Sequence, residues 1–146
     1  DSQLLVFQSR AALATDGHNA GVPQIYAYDL RSKTYAQVTN DAGGCTMPSV
    51  REIISDYRIA YTCSGKAYYS ELRKNLRFLL PVPAGDTNRA VVEMGAHFIV
   101  ISTTANLMQG GLSTGHQLYL WNLYKQPAVE VSGDVTWFPF QGISPL

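Results

Sequence analysis

Charge is what this chain has least of. Asp, Glu, Lys and Arg make up 15% of its 146 residues, where about 25% is usual in a soluble domain. Eleven basic and eleven acidic residues cancel to a formal net charge of zero. With no basic run, the chain lacks the electrostatic footprint of a nucleic-acid binder or of a surface drawn to anionic lipid. No apolar run approaches the roughly 20 residues of a membrane-spanning helix. The longest, Phe98 to Ile101, is strand length. Sustained helical periodicity with caps is missing as well; Arg10–Ala14 and Val50–Ile54 reach one turn at most. Cysteine is scarce, at two residues. No Cys-x-x-Cys pair is present, and His18, His97 and His116 share no ligand spacing, so the sequence predicts no haem attachment, no metal site and no cofactor. Asp1 runs almost directly into an apolar strand rather than a leader, as in a processed chain or a piece of a longer one.

What is present favours sheet. Nine Tyr and five Phe stand among many Val, Ile and Thr. The clearest unit runs from Cys45 to Val82. Thr46–Arg51, Arg58–Cys63, Lys66–Leu72 and Leu76–Val82 read as strands, with turn residues at Ser55-Asp56, Ser64-Gly65 and Lys74-Asn75. The pattern repeats around it. Leu4–Ser9, Arg58–Cys63 and Phe98–Thr103 correspond; so do Ile25–Leu30, Ala67–Leu72 and Leu118–Leu123; so do Tyr35–Asn40, Phe78–Pro83 and Ala128–Gly133. Four-stranded units recurring at intervals of about 40–50 residues point to propeller blades. The sequence therefore predicts an all-β fold: one β-propeller domain or partial propeller of about three four-stranded antiparallel blades. The blades span 1–40 (lacking a first strand), 45–83 and 89–133, with 135–146 as the first strand of a further or closing blade. An open array of this kind leaves exposed sheet edges, so the missing strands are expected from a longer parent chain or from a second copy.

The cysteines fall on the first two strands of the central unit. A hairpin centred on Ile54 sets Cys45 opposite Cys63 and Pro48 opposite Ala60. Cross-strand neighbours lie within disulfide reach. A bridge would close a loop of about 18 residues, stabilise by roughly 3 kcal/mol in the chain-entropy model, and imply an oxidising compartment. The alternative is a pair of buried thiols.

Catalytic signals are thin. Gly111-Leu-Ser-Thr-Gly115 matches Gly-x-Ser-x-Gly, but a nucleophile elbow needs a strand before it and a helix after it. Here a strand follows, Gln117 to Leu123, and the base would have to be the adjacent His116 with Asp134 as the acid. A hairpin tip is the better reading, and no enzymatic activity is expected. Asp16-Gly-His-Asn19 offers a single carboxylate where a calcium ion wants six or more oxygens, and Gly85-Asp-Thr-Asn88 reads as a turn between units. The long inserts Arg10–Gln24 and Thr103–His116 should project from one face, so Asp16, His18, Asn19, Met108, Ser113 and His116 are the candidate partner-binding residues. Tyr119, Trp121, Trp137 and Phe138 are candidates for an aromatic contact patch, with packing between blades as the competing role for the first two.

Several of these segments resemble TolB-like propeller repeats. Ile25–Thr39 looks like the third and fourth strands of that repeat. Pro48-Ser-Val-Arg-Glu-Ile-Ile-Ser-Asp-Tyr-Arg-Ile-Ala-Tyr-Thr62 is similar to the family's Pro-Ser-Trp-Ser-Pro-Asp-Gly-x-x-Ile-Ala-Phe segment, with Ile53-Ile-Ser-Asp56 in place of its Ser-Pro-Asp-Gly turn. Ser102–Leu107 resembles the Ser-x-Ala-Ser-Asn-Leu insert of bacterial variants, and Gly142-Ile-Ser-Pro145 the start of a further segment. The resemblance implies a blade scaffold that is secreted, periplasmic or at the cell surface. It would bind a protein partner or further copies of itself, without nucleic acid and without a membrane span. Two alternatives belong to other classes: the substrate-gating propeller of a prolyl-oligopeptidase-type serine peptidase whose catalytic domain is absent here, and a carbohydrate-binding propeller.

Overall fold

In a computed structural model, residues 3–14, 21–54, 56–80, 89–104, 117–123 and 138–139 are described. They form strands and turns only. The strands are β1 (Leu4–Ser9), β2 (Gln24–Asp29), β3 (Thr34–Gln37), β4 (Cys45–Ile53), β5 (Asp56–Cys63), β6 (Lys66–Glu71), β7 (Leu76–Leu79), β8 (Arg89–Met94), β9 (Phe98–Thr103), β10 (Gln117–Asn122) and β11 (Phe138–Pro139). They make three antiparallel sheets in chain order: β1-β2-β3, β4-β5-β6-β7 and β8-β9-β10-β11. Each strand pairs with its sequence neighbour, so each sheet is a meander. The all-β expectation holds, and the described sheets do not close on one another.

The turns follow from the residues that bend them. Ser64 and Gly65 both have positive φ (49° and 72°), the backbone of the two-residue turn whose twist matches paired strands. Lys33 and Asn75 have positive φ (57° and 52°) at the last position of two matching four-residue turns, after β2 and after β6. In the first of these, Asp29 Oδ1 accepts from the Arg31 and Ser32 amides at 2.7 and 2.9 Å. Those two bonds hold the Asp29 carboxyl below its ordinary pKa.

The first hairpin of the middle sheet differs from the expected register in an instructive way. Ser49, not Pro48, lies opposite Ala60, and Asp56 begins β5 rather than sitting in the turn. From Ile53↔Asp56 to Ser49↔Ala60 the ladder is regular, and continued it would set Cys45 opposite Ser64. A bulge between Thr46 and Ser49 places two residues, Met47 and Pro48, opposite Tyr61 alone. Met47 takes φ 56° there, the left-handed turn such bulges use. The extra residue brings Thr46 opposite Thr62 and Cys45 opposite Cys63.

The sheets pack on each other in chain order. β4 lies against β1 and β2, and β8 against β4, β5 and β6. Period-2 alternation sends successive residues of β5 to opposite neighbours. Ile59, Tyr61 and Cys63 join Ile25 and Cys45 in a buried cluster, with Val6, Val38, Tyr68 and Leu72 around it. Ala60 joins Ala67, Tyr69 and Leu80 against Val91, Met94, Ile99, Ile101, Tyr119 and Trp121 of the third sheet. The inner strands β5 and β6 are thus buried on both faces, while β4 and β7 are mostly half-buried or exposed.

One expectation is revised at the third sheet. Residues 135–146 are expected as the first strand of a further or closing blade. Their described part, Phe138–Pro139, instead pairs with β10, Tyr119 opposite Pro139 and Leu120 opposite Phe138. It occupies the fourth-strand place, where β10 has an outer edge to fill. The apolar run from Phe98 to Ile101 is covered mainly on one face. Ile99 and Ile101 are buried, facing the middle sheet, but Val100 and Ser102 are half-buried and Phe98 is 37% exposed.

Candidate functional surfaces

The two cysteines are joined. Cys45 and Cys63 form a disulfide across β4 and β5 with Cα atoms 4.2 Å apart, the short spacing of a pair that does not exchange backbone hydrogen bonds. Both residues are fully buried. Asp41 lies alongside, its carboxylate and the two sulfurs within 4.8 Å of one another. Because the sulfurs are bonded to each other, neither is a thiolate that could ligate a metal with Asp41. The carboxylate organises the neighbouring turns instead. Its Oδ1 accepts from the Gly43 amide at 2.9 Å and the Ser64 hydroxyl at 3.1 Å. The Arg77 guanidinium lies 4.2 Å above the Tyr68 ring, and its Nη2 is 3.5 Å from Cys63 Sγ.

Of the other predicted residues, Asp16, His18, Asn19, Met108, Ser113, His116 and Trp137 lie outside the described residues, as do the Gly111–Gly115 motif and Asp134. Phe138 is placed as a strand residue. Tyr119 and Trp121 are 1% and 2% exposed, buried in the cluster between the second and third sheets. They are packing residues, not a contact patch: on an inner strand of stacked sheets, both sit at positions of the alternation that face the preceding sheet.

Sequence reasoning missed a polar contact set between sheets. Arg58 and Glu71 are register partners on β5 and β6. Arg58 Nη2 lies 3.0 Å from Glu71 Oε1, and Lys74 Nζ lies 2.7 Å from Oε2. Arg58 Nη1 also donates to the Ala96 carbonyl at 2.9 Å, reaching the third sheet. The signal was available, since both residues lie in predicted strands at opposed positions. It also missed two bonds that follow from bulges. The Met47 amide, released from its ladder, donates to Gln8 Oε1 on β1 at 3.0 Å. The Val91 amide, at a matching bulge between Val91 and Glu93 on β8, donates to Thr62 Oγ1 on β5 at 2.8 Å. Gln8 and Thr62 hold the same place in successive units, so one device links first to second sheet and second to third.

Two tyrosines are shifted by their surroundings. Burial raises the Tyr69 phenol to about 12, with the nearby Glu71 charge adding to it. Burial also raises Tyr61, although the Ser70 hydroxyl 2.8 Å from its oxygen pulls the other way.

Comparison with known proteins yields nothing to set beside this geometry: no family model, no curated protein and no solved structure matches the chain.

Proposed function

We propose that this chain is a non-enzymatic scaffold, a segment of a TolB-like β-propeller of about three blades, working outside the cytoplasm and binding a protein partner or further copies of itself. The observation that carries the reading is the stacking of three antiparallel meanders in chain order, each laid on its predecessor through the same alternating positions. Repeated blades bury their faces in this way. The buried Cys45–Cys63 bridge supports an oxidising compartment. The non-enzymatic part rests on the sequence, where Gly111–Gly115 is followed by a strand rather than the helix a nucleophile elbow requires. The burial of Tyr119 and Trp121 removes two of the aromatic residues that a carbohydrate-binding reading would use.

The test is the intact mass of the native protein measured together with its mass in solution. Particles at multiples of 16.0 kDa support assembly from copies. A longer native chain supports a propeller segment. A strictly monomeric native chain of 146 residues sinks the reading.

A further inference from the structure

The formal net charge of zero hides an uneven distribution. Hydrogen bonds between sheets align their ends. The Met47 amide on β4 reaches Gln8 near the close of β1, and Arg58 near the start of β5 reaches the Ala96 carbonyl ahead of β9. The end where β1, β5 and β9 begin therefore also holds the β2–β3 turn, the β4–β5 hairpin tip and the β6–β7 turn.

At this end the carboxylates of the turns are bound inward. Asp29 Oδ1 accepts from two amides of its own turn. Asp56 Oδ1 accepts from the Tyr57 and Arg73 amides at 2.7 and 2.9 Å. Glu71 is held between Arg58 and Lys74. The basic side chains of the same two turns, Arg31, Lys33, Arg73 and Lys74, are exposed. The exposed acids of this end, Glu52 and Glu93, lie on β4 and β8, the first-strand edges of their sheets, across from the edge that β7 occupies. Apolar side chains stand among the cations. Ile54 at the hairpin tip is 98% exposed, and Leu30 and Leu76, on either side of the basic turns, are 54% and 44% exposed. Exposed apolar residues scattered singly are ordinary, but these three share one end and its basic turns. The described turns of the opposite end, at 41–44 and 64–65, expose no large apolar side chain.

We propose that this end is a peripheral docking face for an anionic lipid surface. A protein partner buries apolar area in one packed, complementary patch. Three apolar side chains on separate turns, interspersed with cations, suit instead a fluid phase that closes round each of them, the boundary between anionic headgroups and acyl chains. Leu30, Ile54 and Leu76 enter that boundary, and Arg31, Lys33, Arg73 and Lys74 meet the headgroups. Lys74 already pairs with Glu71, so Arg31 and Lys33 carry the larger share. The inference rests on strand order and turn positions. It needs neither a closed ring, nor a protein partner, nor a membrane span.

The experiment floats the full chain, its bridge intact, with vesicles of phosphatidylcholine alone or of equimolar phosphatidylcholine and phosphatidylglycerol. The expected result is binding to the mixed vesicles and not to phosphatidylcholine, lost as salt rises toward about 1 M, where the screening length falls to about 3 Å. Arg31→Gln with Lys33→Gln should weaken binding about thirtyfold, at the usual contribution of a basic residue near an anionic surface. Ile54→Ser should weaken it about tenfold or more. These side chains are exposed, so the variants should keep the parent's denaturant midpoint, which is checked alongside. Lys66→Gln removes an exposed cation at the opposite end and should leave binding unchanged. Absence of flotation overturns the proposal, as does equal binding to both vesicle types. A loss from Lys66→Gln as large as that from the Arg31 and Lys33 pair overturns it too. So does binding indifferent to Ile54→Ser, which would mark a face for an acidic protein segment. None of these outcomes depends on the solution mass that tests the scaffold reading.

Discussion

At the scale of single residues, the bridge makes a separable contribution to stability. Cys45→Ser with Cys63→Ser should cost roughly 3 kcal/mol, read as a lower denaturant midpoint, and reductant should lower the parent protein to match. Met47 holds φ 56° at the bulge while 55% exposed. Met47→Gly should therefore stabilise by about 0.5–1 kcal/mol, and Met47→Ile destabilise by at least as much, because a β-branched residue resists that backbone. Tyr69 makes stability fall in alkali. Between the ordinary tyrosine value of 10.0 and about 12, the unfolded phenol is ionised and the folded one is not, so the unfolded state binds fewer protons and rising pH favours it. Denaturant midpoints taken across that window should decline, and Tyr69→Phe should flatten the decline. The cysteine pair was legible in the sequence, but through two steps that compensate. The hairpin turns one half-residue later than Ile54, and the bulge at Met47 and Pro48 restores the pairing. Nothing in Thr46-Met-Pro-Ser49 marks the bulge except proline, which is admitted at bulges but equally at strand edges.

At the scale of elements, strands were legible wherever alternation met turn chemistry, as from Arg58 to Glu71. They were less so where tertiary pairing chose the partner. Phe138–Pro139 has no local feature that assigns it to β10 rather than to a new sheet; only the free edge of β10 decides that. Aromatic residues read ambiguously for a related reason. Alternation states that Tyr119 and Trp121 share a face, but which face is covered depends on the sheet beside it. Contacts between elements also carry a prediction. Arg58 ties β5 to Glu71 on β6 and to the Ala96 carbonyl before β9. Arg58→Ala leaves a carboxylate that is 8% exposed with Lys74 alone and should cost roughly 2–3 kcal/mol, since removing one partner of a buried pair strands the other. Glu71→Gln in the same background should recover part of that loss, which a double-mutant cycle on thermal unfolding would measure.

At the scale of the whole molecule, burial is unequal. The inner strands of the middle sheet are covered on both sides, while the first and third sheets each have one face without a described neighbour. In stacked arrays stability is a sum of unit and interface contributions. Native-state exchange should therefore find the slowest amides on β5 and β6 and faster ones on β1, β3 and β7. Uniform rates across the three sheets would count against this. The meander topology also bears on synthesis. Every described pairing joins strands adjacent in the chain, so no sheet waits for a distant partner. At roughly 5–20 residues per second, a sheet of this size can assemble within seconds of its last strand leaving the ribosome. Cys45 and Cys63 are separated by 18 residues within one hairpin, so the bridge can close before the third sheet exists. The middle sheet is then a finished surface on which its successor condenses, and the order of the chain becomes the order of assembly.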